Sequence, residues 1–202
     1  MSDSPTPSMI SIEPDDTFWN RFFTVHGLFL VGSKESDGSF NLAPKHMGMP
    51  LGFSPYFAFI GTPRKTTYQN IAREKVFTLS FPKPDQIIPA SLSASPRETD
   101  SSKPVIDQLP TTAAKQIDGI FLEHSYLQLE CKLHEILGHY GEWEMIVGKI
   151  VAAHVDQQFL RKESVDDNDL IHNHPLLAYL HPDRHAKITG STAVPLPKNF
   201  KR

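Results

Sequence analysis

Short apolar runs, mostly aromatic and β-branched, recur along the chain between turns rich in glycine, proline and polar residues. Leu28-Phe29-Leu30-Val31-Gly32 and Phe40-Asn41-Leu42-Ala43 flank Ser36-Asp37-Gly38. An Asp-Gly pair between two apolar runs predicts a β-hairpin. Tyr56 to Gly61 and Val76 to Phe81 read as strands, with a helix starting near Thr66 between them. From Tyr126 to Leu137 the pattern alternates: Leu127, Leu129, Cys131 and Leu133 on one face, Gln128, Glu130, Lys132 and His134 on the other. Gly138-His139-Tyr140-Gly141 turns this run back into Trp143 to Val155, which is apolar on both faces and is expected to be a central, fully covered strand. At least six strands, mostly hairpin-connected and antiparallel, predict a mainly β fold with helical excursions, of barrel type.

The pattern changes between Pro82 and Gly119. Pro84 to Leu92 reads as a helix capped by Asp85 and limited or kinked by Pro89. Ser93 to Thr112, rich in serine, proline and charge, reads as a surface excursion, and Thr111 to Ile117 as a short helical turn closed near Gly119. The chain after Asp156 reads as mostly loop and tail. Residues 1–15 are expected to be a flexible arm, and 16–202 one domain with an excursion at 83–119 and a C-terminal tail.

Composition narrows the function classes. The 202 residues can bury a core without staples. Twenty Lys plus Arg stand against 23 Asp plus Glu, so there is no basic excess of the kind nucleic-acid binding leaves. One cysteine, Cys131, excludes an internal disulfide and reads as a buried thiol. No apolar stretch approaches the roughly 20 residues a membrane span needs, and Met1 to Ser8 is polar and acidic, unlike a signal peptide. A cytoplasmic protein is the expectation.

Chemistry concentrates in two segments. In Thr62-Pro63-Arg64-Lys65-Thr66-Thr67, two cations and several hydroxyls sit where a helix begins. Its unpaired N–H groups and positive dipole end suit a phosphate. The alternative is an ordinary helix start with Thr66 as N-cap and the two cations solvated. Ser80 is either a further ligand to a phosphate or a strand-end serine in a local bond. His172, His174, His181 and His185 lack the spacing of a metal array. His181-Pro182 reads as a helix cap with proline first. Trp19 and Trp143 are expected to be core anchors. Gly-x-Gly-x-x-Gly is absent, which argues against a built-in Rossmann site.

The order of these parts resembles the flavin reductase-like family, the FMN-binding split β-barrels of antiparallel Greek-key type that include flavoredoxins and monooxygenase reductase components. The resemblance runs from about Phe18 to Phe200. It rests on the strand-turn-strand ending in Asn41-Leu42-Ala43-Pro44, on Lys65-Thr66-Thr67-Tyr68-Gln69-Asn70-Ile71 before Phe77 to Phe81, and on Gly148 to Val155 and Pro175 to Leu180. It implies that the isoalloxazine lies against Asn41, Leu42, Ala43, Pro44, Lys45, His46 and Met47. The phosphate would be held around Thr62, Arg64, Lys65, Thr66 and Thr67. His46 and His181 would lie near the flavin as catalytic candidates. It further implies hydride transfer from NADH or NADPH to FMN and on to an acceptor, a homodimer, and a possible monooxygenase or redox partner. The alternative is a flavin-binding electron carrier or store without its own nicotinamide site. Lys45-His46-Met47-Gly48-Met49-Pro50 is bulkier and more basic than the small hydroxyl residues many relatives have there.

Overall fold

A computed structural model describes residues 8–197. The expected arm lies outside the described residues up to residue 7, as does the basic tail from Lys198. The strands run β1 Thr24–Gly27, β2 Phe29–Lys34, β3 Phe40–Lys45, β4 Gly48–Pro50 and β5 Tyr56–Gly61, followed by helix α1 Thr66–Glu74 and β6 Val76–Phe81. Helix α2 Ile87–Leu92 precedes the short hairpin β7 Thr111–Ala113 and β8 Ile120–Leu122. The long hairpin β9 Leu127–Tyr140 and β10 Trp143–Val155 comes next. Helix α3 Asp167–Asn173 and the hairpin β11 Leu176–His181, β12 Arg184–Ile188 complete the order.

Seven strands form one curled antiparallel sheet in the order β3-β2-β6-β9-β10-β5-β4, the half-barrel of a split barrel. Strand β1 joins β11 and β12 in a second sheet. Alternation along β2 fills two cores. Phe29 and Val31 point into an aromatic cluster with Phe57, Phe59, Phe77 and Cys131. Leu30 points the other way, into a cluster with Leu42, Ala90, Ile106, Leu109 and Leu122. Rings in the first cluster meet edge to face, Phe29 to Phe57 at 5.2 Å and Phe59 to Phe77 at 5.6 Å. At Gly148 the sheet approaches Phe77 so closely that a Cβ would lie 2.4 Å from its Cζ. Burial of the Cys131 thiol pushes its pKa up to about 12.

Several expectations need correction. Thr111 to Ala113 is a strand paired with β8, because Thr112 lies opposite Phe121 against the sheet. The stretch from Ser93 to Thr112 is more than a surface excursion: Ser93, Ile106 and Leu109 are buried. Asp85 does not cap the helix; it lies in a short 3-10 turn, Pro84–Gln86, that leads into α2. Pro89 falls in the first turn of α2, where its missing N–H has no helical acceptor to lose. The region after Asp156 contributes α3 and two strands. Strand β10 is central by pairing, between β9 and β5, but is not fully covered: Trp143 and Val155 are exposed.

A buried charge fixes the hairpin β7–β8. Glu130, with no solvent exposure, accepts backbone N–H bonds from Lys115 (3.0 Å), Gln116 (2.7 Å) and Ile117 (2.9 Å). His154 Nε2 lies 2.9 Å from the same carboxylate. Burial alone would raise the Glu130 pKa, but these four bonds together carry it below the ordinary value of 4.5. A depressed carboxylate stabilises the fold above its unfolded pKa and loses that contribution as pH falls through the folded value. Glu130→Gln should therefore cost about 2–3 kcal/mol in urea unfolding at pH 7. The gap to the parent protein should shrink in acid; a gap independent of pH would remove the carboxylate from this role.

Candidate functional site

Strand β3 is an edge of the seven-stranded sheet, so one side of its backbone is free of a neighbouring strand. Residues 41 and 43–47 along β3 and the link after it form one wall of a cavity of about 630 Å³. The turn from Thr62 into α1 forms the facing wall. The long hairpin brings Trp143 to the rim, and the excursion brings Ser95, Pro96, Arg97 and Lys103. Asn41, Ala43, Pro44, Lys45, His46, Met47, Thr62, Arg64, Lys65, Thr66 and Thr67, candidates from sequence, thus meet in one place. Three candidates are not in this lining: Leu42, Ser80 and His181, the last of which stacks on His46. Leu42 points into the second core. Ser80 is fully buried, and its hydroxyl accepts the Leu122 N–H at 3.0 Å, a structural bond that holds β8.

The helix start is uncapped. Thr66 is the first helical residue, Lys65 precedes it in extended conformation, and no side chain bonds the first N–H groups of α1. Those donors and the positive end of the helix dipole are left for whatever enters the cavity. Arg64 pairs with Glu142 at 2.5 Å, both exposed. Tyr68 donates to Glu144 on the other flank of Trp143. These two contacts pin the β9–β10 tip to α1, which is why Trp143 lines the rim and does not anchor the core. Trp19 is likewise exposed and meets Phe18 and Phe22 edge to face.

Lys45 is half-buried, and its pKa is lowered by burial and then by the charge of Lys65. No carboxylate pairs with either lysine among the described residues. Lys103 is different. Its ammonium donates to Asn41 Oδ1 (3.0 Å), Leu42 O (3.0 Å) and Ser93 O (2.6 Å), and burial, then Arg97, brings its pKa to about 8. It ties the excursion to β3. Arg97 is held by Glu35 and donates to Ser101 O at 2.7 Å.

His46 sits in a ring cluster. Its ring centroid is 4.5 Å from Tyr179, 5.3 Å from His26, and 5.3 Å from His181 in a stacked arrangement. His46 Nε2 and His181 Nδ1 are buried without a hydrogen-bond partner. His181-Pro182 begins the turn between β11 and β12, so it is no helix cap. His172 and His174 belong to the end of α3, where His174 meets Phe159. Among the described residues no three His, Cys, Asp or Glu side chains gather where they would hold a metal ion. Sequence reasoning missed the excursion residues because their contacts span 62 positions, from Lys103 to Asn41; the alternation of β3 gives no sign of them.

Residues 21–184 match the family described as "Flavin reductase like domain", and the chain belongs to that family. Solved structures with the same fold include nitrilotriacetate monooxygenase component B from Bacillus cereus, 16% identical, with a TM-score of 0.79 over 94% of this chain and 100% of that one. Flavoredoxin from Methanosarcina acetivorans is 17% identical, with a TM-score of 0.75 over 95% and 97% of the two chains. The FMN-binding protein from Thermus thermophilus, solved with bound 1-cyclohex-2-enone, is 19% identical, with a TM-score of 0.73 over 94% and 100%. No curated protein matches the chain closely enough to count as a relative.

Burial, then the neighbouring His26, His181 and Lys45, depress the His46 pKa to about 4, with Asp183 opposing. The His26 pKa is lowered too, by burial and by His181. An imidazole whose folded pKa is depressed stays neutral in the fold while the unfolded chain takes up a proton. Stability should therefore fall as pH drops from 6.5 toward about 4. Urea midpoints measured at pH 7 and pH 5 should show a smaller acid loss for His46→Phe than for the parent; parallel losses would refute the assignment.

Proposed function

We propose that the cavity binds FMN and that the protein is an oxidoreductase of the flavin reductase class. The observation that carries this reading is the uncapped α1 start beside two lysines that repel each other without a carboxylate between them. Such a place is suited to a doubly charged phosphate, by analogy with phosphorylated side chains. Lys65, Thr66 and Thr67 would hold the phosphate, with Arg64 released from or shared with Glu142. The free edge of β3 and the link through His46 and Met47 would lie along the ring system, with Lys45 as the cation nearest it. FMN held there would supply the site with hydride-accepting chemistry, NADH or NADPH being the donor in this reading and free flavin or a protein partner such as a monooxygenase the acceptor. The residues of this chain contribute position and charge: Lys45 favours an anionic ring, and neutral His46 fills space without competing for the anion. Exposed Trp19, Phe23 and Val25 beside the second sheet suit a homodimer in the cytoplasm. No helix among the described residues is long and apolar enough to cross a membrane.

A second reading, an electron carrier without its own nicotinamide site, is favoured by the likeness to a flavoredoxin. Mixing the FMN-loaded protein with NADH or NADPH without oxygen separates the two. Loss of the yellow colour within seconds supports the reductase; persistence of colour with both nucleotides, while dithionite bleaches it, supports the carrier. Replacing Lys65 and Thr66 by alanine should weaken FMN binding at least tenfold, since each charge-assisted bond is worth about 1.5–3 kcal/mol. Riboflavin, which lacks the phosphate, should bind far more weakly than FMN to the parent protein. Equal affinity for the two flavins would rule out the phosphate site.

A further inference from the structure

The tip of the β9–β10 hairpin reaches past the sheet that carries it. Pairing of β10 with β5 ends at Glu144, opposite Gly61. Beyond that point the two strands of the hairpin pair only with each other among the described residues, Trp143 opposite Tyr140. The register slips between Trp143 and Met145, which lie opposite Tyr140 and Leu137, so β9 carries one extra residue there. Such a bulge interrupts the ladder and bends its strand. Gly138 lies in it, and a Cβ at that position would come 3.3 Å from Glu144 Oε1. The tip is thus a short lever with a built-in bend at its base.

Two side-chain contacts hold this lever against α1. Tyr68 donates to Glu144 at the bend, in a part-buried bond. Arg64 pairs with Glu142 at 2.5 Å, further out, at the turn itself. The outer contact is the weaker one. Its side chains keep 64% and 47% of their surface exposed, and an ion pair so exposed contributes little. Arg64, Tyr68 and Trp143 all line the first cavity, and the uncapped start of α1 follows directly on Arg64 and Lys65.

We infer that Glu142 is a built-in competitor for the phosphate of the cofactor, and that phosphate binding unlatches the hairpin tip. In the empty protein the Glu142 carboxylate occupies the Arg64 guanidinium. A phosphate at the start of α1 offers the same guanidinium about two negative charges in place of one, and it repels Glu142. The tip then turns about the bulge, still tied at Glu144, and Trp143 leaves the rim. The bias comes from a contact that the phosphate makes in one state only, which is what a ligand-driven shift requires. By linkage, whatever the latch contributes to the empty protein is taken from the affinity for phosphate. The inference rests on the reading of the cavity as the flavin site. Its consequence is that occupancy shows on the outside of the molecule, at a tip bearing exposed Tyr140 and Trp143.

FMN, riboflavin and inorganic phosphate are the probes, used with the full-length protein and with Glu142→Gln, a change at an exposed turn where folding is not at stake. Glu142→Gln should bind FMN about two- to fivefold tighter than the parent, the scale of an exposed ion pair, and should bind riboflavin as the parent does. Amide exchange at the tip of the parent should quicken with saturating inorganic phosphate, beyond the effect of sodium chloride at the same ionic strength. In Glu142→Gln the tip should exchange fast from the start and not respond to phosphate. Equal FMN affinity in the two proteins overturns the latch, as does a parent tip that phosphate leaves unchanged. Tighter FMN binding with unaltered exchange overturns it too, because Glu142 would then act only as a distant charge. Each of these failures leaves the flavin reading standing as long as FMN outbinds riboflavin. If phosphate quickens the tip but FMN does not bind, the flavin reading falls and the latch remains, serving another phosphorylated ligand.

Discussion

The two edge strands of the large sheet, β3 and β4, are joined by only two residues, His46 and Met47. Seven strands laid flat would hold their edges about 29 Å apart at the usual strand spacing. The three Cα steps from Lys45 to Gly48 span at most about 11 Å. The sheet therefore has to curl until its edges nearly meet. The aromatic cluster around Phe29 fills the inside of the curl, and Gly148 lets β10 come within reach of Phe77. The gap that remains between the edges is where the cavity opens, and the two-residue link is part of its wall. The position of His46, among Tyr179, His26 and His181, follows from the same link.

A curled sheet with a gap needs its rim held, and one half-buried and one fully buried charge do this. Lys103 uses all three of its donors to bind the excursion to Asn41, Leu42 and Ser93. Glu130 gathers the backbone of residues 115–117. Each is costly to bury alone and is retained because its partners come from a distant segment. Together they turn a stretch rich in proline and serine into a wall.

Local patterning carried much of this structure. The strands from Tyr56 to Gly61, Val76 to Phe81 and Trp143 to Val155 were legible with their ends, because period-two alternation or a solid apolar run stands between turn residues. The site candidates at 41, 43–47, 62 and 64–67 come to one cavity because each group is nearly contiguous in sequence, while Leu42 between them turns into the second core. What local patterning could not show was long-range. Thr111 to Ala113 contains good helix formers nearby and becomes a strand only because β8 lies alongside. Trp143 is aromatic in an apolar run, yet it sits at the rim because Glu142 and Glu144 on either side are drawn to Arg64 and Tyr68. Ser80 looks like a site hydroxyl until the Leu122 N–H occupies it.

The unbalanced pair Lys45 and Lys65 has a consequence for protons. Lys45 holds its proton less firmly than a free lysine because of burial and its cationic neighbour. An anion settling between the two would offset that disadvantage. Binding of such an anion would favour the protonated form of Lys45. The same repulsion that makes the free cavity costly to keep charged would then draw an anion into it.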